Sequence, residues 1–177
     1  QLLGPDTAFT LEALVKPNTS NFSGHGQIWC ADSDVTNNRG FQFRINSSEE
    51  LEYNGLNFGG GNIKIPLAGQ LQANTWYHVA LTYTEAGQTA GSGLFTMYWT
   101  PAASPVTEAQ VLHTWISNAI TPGFTSQLVL GNEGRGPMSE GFPGLIDEAR
   151  ISRIARGADD FIFGIVDTDS DSLPDWW

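Results

Sequence analysis

The sequence predicts an all-β protein folded as a two-sheet antiparallel sandwich. Apolar and polar residues alternate over short runs, and twenty Gly and nine Pro residues, with many Thr, Asn and Ser, punctuate those runs. The turns recur at the spacing expected of a sandwich, and helical periodicity is nearly absent. At 177 residues and 40% hydrophobic content the chain is one domain in size and apolar enough to bury a core.

Each strand follows from its pattern. Phe9-Thr10-Leu11-Glu12-Ala13-Leu14-Val15-Lys16 alternates with period two, setting Phe9, Leu11, Ala13 and Val15 on one face, and Pro17-Asn18 ends the run. Phe41, Phe43 and Ile45 alternate against Gln42, Arg44 and Asn46. A further strand is expected at 63–65. In the run from Trp76 to Tyr83 the residues Tyr77, Val79, Leu81 and Tyr83 share a face while His78 points away. Segments 94–99, 115–116 and 128–130 complete the series. In Leu145-Ile146-Asp147-Glu148-Ala149-Arg150-Ile151 the apolar face carrying Leu145, Ala149 and Ile151 places Asp147 inward. An inward carboxylate calls for a partner, either a bound calcium ion or Arg and backbone donors. Gly157 to Phe161 reads as a short helical turn with acids near its start. Phe161-Ile162-Phe163-Gly164-Ile165-Val166 is apolar on both faces and calls for cover.

The net charge of -11, with eight Lys and Arg in all, excludes nucleic acid as a partner, because phosphate binding needs a basic footprint. No run approaches 18 consecutive apolar residues, so no helix is expected to span a bilayer. Cys30 is the sole cysteine, which excludes an intrachain disulfide. The chain opens on Gln1, read as the loss of an upstream segment such as a signal peptide, and hence as export.

Four phrases fall in family order: FTLEALVKP at 9–17, WYHVALTYT at 76–84, LVLGNE at 128–133 and FPGLIDEARISRIAR at 142–156. Together they resemble the laminin G-like, concanavalin A-like jelly-roll domains of bacterial extracellular proteins. The resemblance covers residues 8–163 and implies two antiparallel sheets packed face to face. Leu14 stands where such domains usually carry Trp. They also usually open with an edge strand containing a Phe-Asp-Gly phrase, and only eight residues precede Phe9 here. A missing edge strand invites strand addition, with 161–166 as donor in the same molecule or a neighbour.

The terminal phrase DTDSDSLPDWW, residues 167–177, is similar to the acidic calcium repeats akin to thrombospondin type 3 repeats. Calcium takes six to eight oxygen ligands. Asp167, Asp169, Asp171 and Asp175, with the carbonyl of Leu173, occupy alternate positions of such a loop. Ser170 and Ser172 replace the glycines of the pattern, at about 1 kcal/mol each if left-handed backbone is required. A solvated acidic linker is the other reading. The organisation is therefore a sandwich over 1–163 and an acidic tail over 164–177.

Asp32 and Asp34, in the loop CADSDVTNN, are candidates for a surface cation or sugar site, since rim loops carry much of a sandwich's binding. Trp29, Trp99 and Trp115 are candidates for stacking on pyranose faces, whereas Trp76 reads as packing. Phe161, Phe163, Ile165, Trp176 and Trp177 are candidates for assembly, covering the tail or docking on another copy. Catalysis is not expected: jelly-roll glucanases carry an ExDxE phrase that places two carboxylates on one face, and none occurs here. Asp147 and Glu148 are adjacent and face opposite ways. His25, His78 and His113 lack metal-ligand spacing, and Phe58-Gly59-Gly60-Gly61 lacks the strand-to-helix context of a phosphate loop. The expectation is a secreted or surface-attached, non-catalytic module that recognises a polysaccharide or glycoprotein glycan and is stabilised by calcium. The alternatives are a structural subunit assembled through edge and tail, and an accessory domain of a polysaccharide-degrading enzyme.

Overall fold

A computed structural model describes residues 8–102, 106, 108–121, 125–136 and 139–161. Ten strands make two five-stranded antiparallel sheets: β1 Phe9–Pro17, β2 Gly26–Ala31, β3 Phe41–Ile45, β4 Glu50–Asn54, β5 Asn62–Pro66, β6 Tyr77–Thr84, β7 Ser92–Pro101, β8 Val111–Asn118, β9 Val129–Leu130 and β10 Gly144–Ser152. Sheet one runs β10-β1-β6-β7-β8 and sheet two runs β5-β4-β3-β2-β9. A single 3-10 turn, Thr36–Asn38, is the only helical element among the described residues. The expected all-β sandwich is the observed fold. β1 lies inside its sheet, paired to both β10 and β6, so it offers no free edge.

The alternating residues meet between the sheets. Phe9, Leu11, Val15, Val79, Leu81, Tyr83, Phe41, Phe43, Ile45, Leu51 and Tyr53 are all fully buried. Each such side chain contributes on the order of 1.5–3 kcal/mol on leaving water. Rings run through the centre: Phe9 stacks on Tyr83 at 5.4 Å, Tyr83 meets Phe95 at 4.8 Å, and Phe95 stacks on Trp115 at 5.0 Å. The glycine run is a cover for these rings and holds no phosphate cradle. Gly60 has φ of 85°, and a Cβ there would lie 2.6 Å from the Tyr53 ring and 2.7 Å from that of Phe95. Its carbonyl accepts from Trp115 Nε1 at 2.8 Å.

β10 departs from the expected phase. Val15 pairs with Ile146 and Leu14 with Asp147, but Glu12 pairs with Arg150, so three steps on β10 match two on β1. This is a β-bulge, with Glu148 in left-handed backbone at φ of 46°. Leu145 and Asp147 therefore face outward, Ile146 and Ile151 pack on the core, and Leu145 is 59% exposed. The inward placement of Asp147 is corrected: its Oδ1 accepts from the N–H of Glu148 at 2.8 Å, the backbone-donor alternative.

The outer face of sheet one is covered by the chain following β10. Ile154 O accepts from Thr10 Oγ1 at 2.7 Å, and that oxygen accepts from Arg156 N–H at 3.1 Å. Phe161 packs edge-on against His78 at 4.8 Å and Tyr98 at 4.9 Å, and is 3% exposed. Glu12 gathers the basic side chains of this layer: Arg150 Nε at 2.7 Å, His78 Nε2 at 3.2 Å and Arg156 Nε at 3.4 Å. Burial pushes the Glu12 carboxyl up, but the hydrogen bonds from His78 and Arg150 outweigh it and hold the group below the usual range.

Candidate functional site

Sheet two is polar on its outer face. Cross-strand pairing lines up Gln27, Arg44, Glu52 and Lys64 in one row across β2, β3, β4 and β5, and Cys30, Gln42, Asn54 and Asn62 in the next. These are the positions that alternate with core residues, and two-residue periodicity places them together. Yet Gln27, Gln42, Arg44 and Glu52 are buried, and the chain after β9 continues along the edge of β2. Gly131 N–H donates to Ile28 O at 2.9 Å, and Gln27 N–H donates to Glu140 O at 3.1 Å.

Two carboxylates organise this layer. Glu140 accepts from Gln27 Nε2 at 2.5 Å and Arg44 Nη1 at 3.2 Å, and its other oxygen lies 3.1 Å from His25 Nδ1. Arg44 Nη2 donates to Glu52 at 3.0 Å, and Lys64 Nζ lies 3.9 Å from the same oxygen. Asp32 accepts from Arg39 Nε and Nη2 at 2.7 and 2.8 Å, from Gln42 Nε2 at 2.8 Å and from Ser33 N–H at 2.8 Å, with Arg135 Nε at 3.0 Å. Burial would raise the pKa values of Asp32 and Glu52; the arginine hydrogen bonds prevail and lower both. The Cys30 thiol, desolvated between these clusters, is pushed up to about 11, so it is held as an inert thiol. Three polar atoms of the layer, Gln27 Oε1, Arg44 Nε and Arg135 Nε, make no hydrogen bond among the described residues, the last standing in ion pairs alone.

At the end of this layer opens a pocket of about 140 Å³, between the 19–25 loop and the 139–143 segment. Its wall includes Asn21, Phe22, Ser23, His25, Ser139 and Pro143. His25, 33% exposed, joins the pocket to Glu140 and through it to Arg44.

The residues singled out from the sequence fall differently. Asp32 lies in the right region, but it is 1% exposed and committed to its donors, so its placement as a surface ligand is corrected. Asp34 is exposed and accepts from Gly136 N–H at 3.0 Å. Trp29 and Trp99 alternate inward and are 6% and 1% exposed, with Trp99 stacked on Tyr77 at 4.3 Å. Trp115 is half-buried and spends its face on Phe95 and its N–H on Gly60. None of the three presents a ring face to a sugar. Phe161 is docked within its own domain, the intramolecular of the two placements expected for the segment it opens. Asp167, Asp169, Asp171, Leu173, Asp175, Phe163, Ile165, Trp176 and Trp177 lie outside the described residues. Among the described residues no three His, Cys, Asp or Glu side chains form a metal cluster, and no helix is long and apolar enough to cross a membrane.

Sequence reasoning missed His25, Gln27, Arg44, Glu52 and Glu140 as a set. The alternation on β3 exposed Arg44 as an outward residue, but its partner Glu140 lies 96 positions away.

The family model described as the concanavalin A-like lectin/glucanases superfamily matches residues 1–160. The chain belongs to that superfamily. No curated protein matches the sequence. Among solved structures, the Ruminococcus gnavus IT-sialidase CBM40 is similar with a TM-score of 0.62 and 15% identity, over 88% of this chain and 80% of that one. The same module bound to alpha2,3 sialyllactose gives 0.63 and 14%, with the same coverage. The native heptameric SAP-like pentraxin of Limulus polyphemus gives 0.50 and 16%, over 89% of this chain and 70% of that one. At these identities the likeness is one of fold.

Proposed function

We propose that this member of the superfamily is a non-catalytic carbohydrate-binding module of a secreted or surface protein. The observation that carries the reading is the open pocket at the end of the ion-paired layer on sheet two, whose wall offers the exposed Asn21 and Ser23 side chains and the His25 ring held by Glu140. Preorganised polar groups at a concave opening are what recognition of a hydroxyl-rich ligand requires. The CBM40 neighbour bound to alpha2,3 sialyllactose supports a glycan as the class of ligand. Its printed name also pairs a binding module with a sialidase, which supports an accessory role beside an enzyme. Each acid of the layer serves an arginine, amide or histidine partner, an arrangement suited to positioning rather than to glycosidic cleavage.

Calcium binding by Asp167, Asp169, Asp171 and Asp175 is part of the proposal, resting on the spacing of those carboxylates. One experiment addresses both: titration calorimetry of the chain against a panel of oligosaccharides, repeated with added calcium and with chelator. Saturable binding to at least one glycan is expected, along with a separate calcium isotherm. Silence across the panel would overturn the binding reading, and a flat calcium titration would remove the metal.

A further inference from the structure

We infer that the pocket between the 19–25 loop and the 139–143 segment takes a neutral pyranose unit of the glycan, not the carboxylate of an acidic sugar. The inference rests on the carbohydrate-binding reading and assigns its ligand class. A carboxylate can only accept hydrogen bonds, so Glu140 accepts from His25 Nδ1 at 3.1 Å, and the ring of this pocket-wall residue is held by that contact. The basic group of the wall is thus already paired with an acid. A sugar hydroxyl, which can donate or accept, suits the remaining ring nitrogen, while a second carboxylate would meet the charge of Glu140.

The neighbouring groups continue the same chemistry. The side chains of Asn21 and Ser23 are exposed at the pocket and make no hydrogen bond within the described residues, so they can donate and accept toward hydroxyls. Pro143, partly exposed beside the buried Phe22, gives the wall an apolar part suited to the C–H surface of a pyranose. Arg44, the cation that would be wanted for an anionic sugar, already spends Nη1 on Glu140 and Nη2 on Glu52. Of the wall residues only His25 can carry positive charge, and it faces Glu140 at 3.1 Å. The chain's net charge of -11 adds long-range repulsion of acidic ligands.

The test compares lactose, N-acetyllactosamine, cellotriose and xylotriose with alpha2,3 sialyllactose by calorimetry at pH 7, using the full chain and its His25→Phe and Ser23→Ala variants. At least one neutral sugar should bind, sialylation should not improve the affinity of lactose, and His25→Phe should weaken the neutral sugar about tenfold. Ser23→Ala, an exposed change that leaves folding intact, should weaken it about threefold, keeping the test valid if the histidine variant unfolds. Sialyllactose binding tenfold tighter than lactose would overturn the inference while leaving the carbohydrate-binding reading standing. Neutral binding unchanged in both variants would also overturn it, by removing the pocket as the site. Silence from all five sugars would overturn both.

Discussion

The two outer faces of the sandwich use the same device to different ends. On sheet one, Glu12 collects two arginines and a histidine, and the layer is closed by Phe161 lying on His78 and Tyr98. On sheet two, Asp32 and Glu140 collect arginines, amides and a histidine, but the layer ends at a pocket. A carboxylate hub sealed under an aromatic ring anchors a segment of chain. The same hub left open at one end holds polar side chains still for a visitor.

The largest effect should come from Asp32→Ala. It strands Arg39 and Gln42 without their acceptor, and breaking a buried pair on one side costs about 4 kcal/mol, measurable by denaturant titration. A loss below about 1 kcal/mol would mean that this hub is not structural. Next comes Phe161→Ala, which should cost about 3 kcal/mol as a cavity in the sealed layer while leaving glycan affinity unchanged. A change in affinity would break the separation between the faces.

A smaller effect is acid sensitivity. The folded state holds the carboxyls of Glu12, Asp32 and Glu52 below their ordinary values, so it binds fewer protons than the unfolded chain near those values. Their stabilisation is complete above the unfolded value of about 4 and is lost as pH falls through the lower folded values. Thermal midpoints should thus be flat from neutrality to about pH 5 and decline below about pH 4. Asp32→Asn should flatten that decline.

Much of the framework could be read from the sequence because β1, β3, β6 and β7 present one face to the core and alternate cleanly. β2 could not: Ile28, Trp29, Cys30 and Ala31 are apolar in succession, so the run carries no two-residue period. β4 did carry the signal, with Leu51 and Tyr53 inward against Glu52, but it is short and flanked by acids. The tryptophans misled because indole suits sugar faces and cores alike, and their inward phase at 29 and 99 emerges only from pairing. The polar face was partly legible in Gln42 and Arg44. Its far members were not, since Glu140 reaches Gln27 across 113 positions, a closure that no local pattern encodes.

The extra residue in β10 works as a half-twist in the phase of the strand. Because three residues span what two span on β1, the parity before Asp147 and after Arg150 is opposite, and this alone lets Ile146 and Ile151 both look inward while Arg150 reaches Glu12. Removing one residue at 147–149 would set two steps against two, so a regular strand would keep Ile146 and Ile151 inward and Arg150 opposite Glu12, and the strap would stay hooked without the bulge.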